Sequence, residues 1–305
     1  MKMKKNLNIL VPIDFSDLSY HAFGAAEIMA RYFEGIITPF HAYIPLTDID
    51  GSYYMGLGIS TQTTMTDLEP ILKDRLNQVA ADHVEKKYLK DALLGIGNPA
   101  HSIIETADDF DMIVMSTHGR TGFSRLLLGS VTEKVLRLSH VPILVVEEKS
   151  NLTPLKKILV TSDLSKNSEA AFPYAVQIAK TSGAMIELVH IIRFDDYDNM
   201  SAAQDSASIS RDRLNKLKEK HFSEIAEQVK TEVIISSESA HEAIYNLDQS
   251  RQYNMIIMST IGRTGLQYLT MGSTTANVVR LVDTAILSIN PQQKKVKKEK
   301  QEEKE

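Results

Sequence analysis

The sequence contains no cysteine. That excludes a disulfide scaffold, a thiolate zinc site, an iron–sulfur cluster and a cysteine nucleophile, and it suits a reducing cytosol. An excess of positive charge is missing too: 34 Lys and Arg stand against 39 Asp and Glu, for a net charge of −5. There is no global basic field for nucleic acid or anionic membrane, so neither is expected as a partner. No apolar run approaches the roughly 20 residues of a membrane span. The opening MKMKKNLNILVPID places apolar residues after basic ones, as a signal peptide does. Asn8 interrupts that run and Asp14 stops it, so it lacks the unbroken stretch of about 7–15 residues that secretion needs. The expectation is a soluble cytoplasmic protein. Several enzyme signatures are also missing: the chain has no G-x4-G-K-S/T loop, no G-x-S-x-G elbow and no H-E-x-x-H.

What is present begins with length. At roughly 150 residues per domain, 305 residues suggest two domains, and a hydrophobic content of 43% suffices for packed cores. The chain is an internal duplication. Residues 111–146 (DMIVMSTHGRTGFSRLLLGSVTEKVLRLSHVPILVV) align without gaps on 254–289 (NMIIMSTIGRTGLQYLTMGSTTANVVRLVDTAILSI), and half of the positions are identical. Residues 9–30 align likewise on 158–179. The first pair is offset by 143 and the second by 149, so the second copy is shorter in its middle. A period this long means two copies of one domain rather than a solenoid. The expected divisions are a first domain over 1–149, a second over 154–291, and a charged tail over 292–305 that reads as disordered.

Continuously apolar runs mark strands at Asn8–Pro12, Ile36–Tyr43, Ala92–Ile96, Met112–Ser116 and Ile143–Val146 in copy one. Copy two gives Ile158–Thr161, Met185–Ile192, Glu232–Ser236, Met255–Ser259 and Ala285–Ile289. Continuous rather than alternating hydrophobicity fits strands covered on both faces. Helical patterns intervene at 17–34, 67–90, 100–109 and 130–140, with counterparts in copy two. This alternation predicts right-handed βαβ crossovers and an open parallel sheet, with ligands beyond the strands' carboxyl ends.

Two features sit at those ends. Strand one closes on Pro12-Ile13-Asp14, and in copy two on Thr161-Ser162-Asp163. An acid there can accept hydrogen bonds from a ribose hydroxyl; helix capping ahead of Ser16 and Ser165 is the competing reading. Strand four runs into Ser116-Thr-His-Gly119-Arg-Thr-Gly122 with Gly129-Ser130 opening the next helix, and the copy reads Ser259-Thr-Ile-Gly262-Arg-Thr-Gly265 with Gly272-Ser273. Glycines permit positive φ and close backbone approach. A helix start offers open N–H groups and the positive end of the dipole. Together they predict an anion seat, most naturally for phosphate. Arg120 and Arg263 hold equivalent places from which a guanidinium could reach a β- or γ-phosphate, and a solvated loop arginine is the alternative. His118 reads as a packing residue rather than a base.

These residues resemble the universal stress protein family, whose nucleotide-binding members carry Gly-x2-Gly-x9-Gly-Ser/Thr after strand four. Here the pattern is Ser116-x2-Gly119-x9-Gly129-Ser130 and Ser259-x2-Gly262-x9-Gly272-Ser273, accompanied by the strand-one Asp and by Val141-Pro142 before the last strand. The resemblance implies an α/β fold of two tandem Rossmann-like domains, each an open five-stranded parallel sheet of order 3-2-1-4-5 flanked by helices. It implies that the final strands pair across a pseudo-twofold axis between the copies, and it leaves room for a homodimer. It implies an adenine nucleotide, ATP with or without Mg2+, and a regulator or sensor role in the stress response. Pro12, Ile13 and Asp14 would flank adenine and ribose, with Ala42 beside the base. Gly119, Gly129, Ser130, Val131 and Thr132 would hold ribose and phosphates. In copy two the matching residues are Asp163, Ile191, Gly262, Gly272, Ser273, Thr274 and Thr275.

The sequence departs from that pattern at Ser116 and Ser259, where a Cβ narrows φ in place of glycine. Copy two also has Ile261 for His118 and Tyr268 for Arg125, so site one is expected to be the better ATP site. No general base or metal-binding acid cluster is recognisable, so no catalytic residue is assigned. A slow ATPase and a protein-interaction scaffold without nucleotide are the alternatives. Gly95-Ile-Gly97-Asn-Pro-Ala100 matches a dinucleotide fingerprint, but it follows the third strand and reads as a turn with Pro99 opening a helix. The stretches 44–66 and 194–207 read as polar loops overhanging the two sites.

Overall fold

The computed structural model describes residues 5–44, 65–117, 128–194, 200–261 and 272–291. Copy one supplies β1 (Asn8–Pro12), α1 (Asp17–Phe33), β2 (Ile36–Tyr43), α2 (Met65–His83), β3 (Leu93–Ile96), α3 (Pro99–Ala107), β4 (Met112–Ser116), α4 (Ser130–Leu138) and β5 (Ile143–Val146). Copy two supplies β6 (Lys157–Thr161), α5 (Phe172–Ser182), β7 (Met185–Arg193), α6 (Met200–His221), β8 (Val229–Ser236), α7 (Ala240–Arg251), β9 (Met255–Ser259), α8 (Ser273–Leu281) and β10 (Ala285–Ile289).

Each copy orders its strands 3-2-1-4-5, with parallel pairing throughout the copy. The two sheets are one. β5 and β10 pair antiparallel, Leu144 opposite Leu287, giving ten strands in the order β3-β2-β1-β4-β5-β10-β9-β6-β7-β8. The pairing satisfies the N–H and C=O groups that two open edges would expose. Side chains from beyond the strands reinforce it: Asn290 Nδ2 donates to the Ser139 carbonyl at 3.0 Å, and Arg280 Nη2 to Glu133 Oε2 at 3.1 Å.

The sheet is covered on both faces, as continuous apolar strands require. One face packs α1, α2, α5 and α6 through Phe23, Leu72, Phe172 and Leu214; the other packs α3, α4, α7 and α8 through Ile103, Val135, Ile244 and Val278. Ile9, Leu10 and Val11 of β1 are wholly buried, each worth about 1.5–3 kcal/mol of transfer free energy.

Departures from the sequence expectation are local. The helix expected to reach residue 90 ends at His83, because Val84 turns into the core and Lys86–Tyr88 forms a 3-10 turn. β8 starts at Val229 rather than Glu232, because it pairs with β7 along eight positions. Residues 200–207, expected as loop, are the first turns of α6. Ala202 and Ala203, the best helix formers, lie there. Asn98 caps α3 and Pro99 opens it, as the turn reading of that segment requires. Gly95 is demanded by packing: a Cβ would lie 2.0 Å from Ser102 Oγ and 2.6 Å from the Phe40 ring. The 292–305 tail lies outside the described residues.

Candidate functional site

The order 3-2-1-4-5 puts the carboxyl ends of β1, β2 and β4 side by side, and those of β6, β7 and β9 likewise. At each β1-type end the chain makes the same turn. Asp14 Oδ1 accepts from the Ser16 amide at 3.0 Å and from its hydroxyl at 2.6 Å; Asp163 Oδ1 accepts from the Ser165 amide at 2.9 Å. The helix cap itself is Ser16, whose oxygen accepts from the Ser19 amide, so Asp14 orders the cap rather than being it. Between acid and serine, Phe15 and Leu164 both take a left-handed backbone, at φ 63° and 62°. Each is buried and non-glycine, so each copy holds the same costly turn beside its acid.

A buried histidine anchors that turn in both copies. His41 Nδ1 lies 2.7 Å from the Ile13 carbonyl oxygen, and His190 Nδ1 lies 2.8 Å from that of Ser162. A carbonyl only accepts, so Nδ1 carries the hydrogen in both. The bond ties the end of β2 or β7 to the residue just before the acid. Sequence reasoning missed these histidines. The signal was available, since positions 41 and 190 share the offset of 149 that aligns the early segments.

The fourth crossover is equally duplicated. Gly129 and Gly272 are the N-caps of α4 and α8, with φ −59° and −57°, and neither helix has a side-chain cap. Positive φ is therefore not why glycine stands here. The Gly272 amide donates to the Thr260 carbonyl at 2.7 Å, and a Cβ on Gly272 would lie 3.1 Å from that same oxygen. The Gly129 amide bonds the Thr117 carbonyl at 2.9 Å in the same way. The Thr132 and Thr275 hydroxyls donate to the Ser116 and Ser259 carbonyls at 2.9 and 3.0 Å, pinning the helix start to the strand end. Ser130, Val131 and Thr132, like Ser273, Thr274 and Thr275, occupy the first turn, where amides have no intrahelical partner. Ser116 and Ser259 are the last strand residues with extended backbone, so their Cβ meets no φ restriction there.

Copy two encloses a cavity of about 340 Å3 at this edge. Asp163, Ile191, Gly272, Ser273, Thr274 and Thr275 all line it, together with Ser162, His190 and Ser259. Six residues expected from separate parts of the copy-two sequence thus converge on one space. In copy one Pro12, Ile13 and Asp14 close β1, Ala42 sits at the end of β2 and Ser116 at the end of β4, and Gly129, Ser130, Val131 and Thr132 open α4. Gly119, Arg120, Gly122, Gly262 and Arg263, with His118, Arg125 and Tyr268, lie outside the described residues.

Among the described residues, no helix is long and apolar enough to cross a membrane. The sequence pattern of the Universal stress protein family matches residues 5–147 and again 154–289. A universal stress protein of Methanocaldococcus jannaschii is 32% identical over 162 residues, covering 47% of this chain and 96% of the relative. One of Mycolicibacterium smegmatis is 22% identical over 292 residues, 93% of this chain and 97% of its own length. Among solved structures, a universal stress protein from Archaeoglobus fulgidus superposes with a TM-score of 0.63 at 22% identity, covering 93% of this chain and 98% of its own, and so shares the fold. With both halves matched and the strand order repeated in each, the chain belongs to the universal stress protein family.

Proposed function

We propose that this chain is a nucleotide-binding regulator or sensor that seats ATP at the carboxyl edge of each copy. Adenine and ribose would lie against Pro12, Ile13, Asp14 and Ala42 in copy one, and against Asp163 and Ile191 in copy two. The phosphates would sit on the first-turn amides of α4 and α8, at Ser130, Val131 and Thr132 and at Ser273, Thr274 and Thr275, with Gly129 and Gly272 lining the approach. Gly119, Gly122 and Gly262 would contribute to the ribose and phosphate contacts, and the Arg120 and Arg263 guanidinium groups could reach a β- or γ-phosphate. Mg2+ would arrive with the phosphates, since among the described residues no group of three acids or histidines is gathered to hold a metal.

The observation that carries this reading is the copy-two cavity. It joins an acid, an apolar strand end and an uncapped helix start in about 340 Å3, within the range of about 300–1,000 Å3 typical of small-molecule sites. Dipole and open amides at that start favour an anion, and the acid could accept from a sugar hydroxyl. Site one, with His118 and Arg125 in place of Ile261 and Tyr268, would bind more tightly.

The test is calorimetric titration of the purified chain with ATP, with and without Mg2+, backed by mass spectrometry of small molecules released on denaturation. Saturable binding is expected, with the tighter phase removed by Gly129→Arg and the weaker by Gly272→Arg. Silence at millimolar ATP would sink the reading.

A further inference from the structure

The residue before each acid is clamped at both of its backbone groups by the neighbouring strand. The Ile13 amide donates to the Phe40 carbonyl at 2.8 Å, and the Ile13 carbonyl accepts from His41 Nδ1 at 2.7 Å. In copy two the Ser162 amide donates to the Val189 carbonyl at 2.9 Å, and the Ser162 carbonyl accepts from His190 Nδ1 at 2.8 Å. The regular ladder stops one residue earlier, at Pro12 opposite Phe40 and at Thr161 opposite Val189. A parallel ladder carried one step further would bring a backbone amide to that carbonyl. Here an imidazole N–H takes the amide's place, so the chain leaves the sheet without leaving a buried carbonyl unpaired.

The turn that follows depends on that anchor. Phe15 and Leu164 sit at φ 63° and 62°, a conformation that costs a non-glycine residue on the order of 1–3 kcal/mol and persists only where its surroundings impose it. Asp14 and Asp163 stand between the anchor and the strained residue. The residue after each acid is held as well. The His41 ring lies 4.6 Å, centroid to centroid, from that of Phe15, and Arg213 Nη2 donates to the Leu164 carbonyl at 3.0 Å.

Helix initiation does not explain why both copies keep this arrangement. α1 begins at Asp17, directly after its cap Ser16. In copy two a 3-10 turn over Ser168–Ala171 comes first, and α5 begins only at Phe172, the counterpart of Phe23. The helix start has changed, whereas the strained turn, the acid and the histidine bond have not. What the duplication has kept is the place of the acid.

We propose that His41 and His190 are positioning residues that make each nucleotide site select ribose over deoxyribose. They act through the acid: the imidazole bond fixes the peptide that carries Asp14 or Asp163, and with it the carboxylate that accepts from a sugar hydroxyl. A displacement of about an ångström would forfeit that bond. A carboxylate offers about four lone-pair sites, so the serine turn and a ribose hydroxyl can share it. This inference rests on the nucleotide reading above and adds to it the sugar specificity and the residues that set it.

The test compares ATP with 2′-deoxy-ATP and 3′-deoxy-ATP by calorimetric titration of the full chain. The native chain should bind at least one analogue about tenfold more weakly than ATP, as loss of a hydrogen bond to a charged acceptor requires. His41→Phe combined with His190→Phe keeps a ring at each position and removes the donor. ATP should then weaken about tenfold, to the level of that analogue, and the ratio of affinities should fall to near one. His41→Asn combined with His190→Asn, whose amide can stand where Nδ1 stood, should restore the ratio. A merely structural histidine would weaken ATP and its analogues alike in the phenylalanine pair; a ratio left unchanged there would overturn the proposal. So would a native chain that binds all three nucleotides equally, or an asparagine pair whose ratio stays near one. If the melting curve shows that the phenylalanine pair does not fold, the asparagine pair decides alone. Binding of ATP without discrimination overturns this inference and leaves the nucleotide reading standing, whereas a native chain that binds none of the three removes both.

Discussion

In copy one, α2 lays Leu68 and Leu72 into the core above β2; in copy two, α6 buries the smaller Ala207 and Ser210 and leaves Ser206 exposed. A few ångströms away the copies hardly differ. Asp14 and Asp163 hold the same serine turn, His41 and His190 make the same carbonyl bond, and Thr132 and Thr275 pin the same helix start. Duplication has kept the backbone-ordering bonds and let the packing beside them drift. Those bonds shape an edge from many segments at once, so a change in one member disturbs all of them. A packing position touches fewer partners and can be exchanged against volume.

The largest expected effect comes from imposing the copy-two pattern on copy one. Leu72→Ser should cost about 3 kcal/mol of stability in denaturant titration, because it removes a wholly buried side chain and leaves a hydroxyl in apolar surroundings. A cost below about 1 kcal/mol would mean that copy one tolerates the hollow as copy two does, and the packing contrast would dissolve.

A second contrast lies at the amino-terminal end of β10. Asp248 is buried on α7 and accepts from the Thr284 hydroxyl at 2.9 Å; the equivalent copy-one positions, with the helix caps Asn98 and Ser239 aligned, hold the buried Ala107 and Val141. Burial raises the Asp248 pKa above its usual 3.8, against the opposing pull of the Thr284 hydroxyl. The folded chain therefore holds this proton more tightly than the unfolded chain. The group's contribution is most favourable below pH 3.8 and declines as pH rises through the folded pKa. Asp248→Asn removes the charge and should stabilise the protein at pH 7. Unfolding curves taken along a pH series should show that gain shrinking toward zero near pH 4. A gain independent of pH would refute the assignment.

The smallest effect concerns the end of the first helix. Gly183 closes α5 at φ 76°, and its equivalent in copy one, Glu34, closes α1 at φ 54°. A left-handed cap suits glycine and strains glutamate. Glu34→Gly should raise stability by about 0.5–1 kcal/mol, less whatever the exposed Lys5 pair supplies. A fall in melting temperature would show that copy one gains more from that ion pair than from relief of the backbone.

The strands were nearly all legible. Apolar runs such as Met112–Ser116 and Met255–Ser259 are local signals, and both appear with the expected ends. The start of α6 was not, because Ala202 and Ala203 sit among polar residues that read as loop. Gly272 was legible as a required glycine for an incomplete reason: the sequence pointed to backbone freedom, while the closeness of the Thr260 oxygen explains it. His41 and His190 were readable only by carrying the 149-residue offset through β2 and β7, since one histidine in an apolar run has no periodic signature.

The amino-acid sequence alone determined the duplication, the strand–helix alternation and the family pattern at Gly129-Ser130 and Gly272-Ser273, because repetition and local periodicity carry them. Only the tertiary structure decided that β5 meets β10 antiparallel with Leu144 opposite Leu287, that Asp14 and Asp163 serve the turn before any ligand, and that Ser210 of α6 lies beside a hollow at the end of β7. Each of these depends on which side chains from distant segments meet, and on how much volume they leave between them.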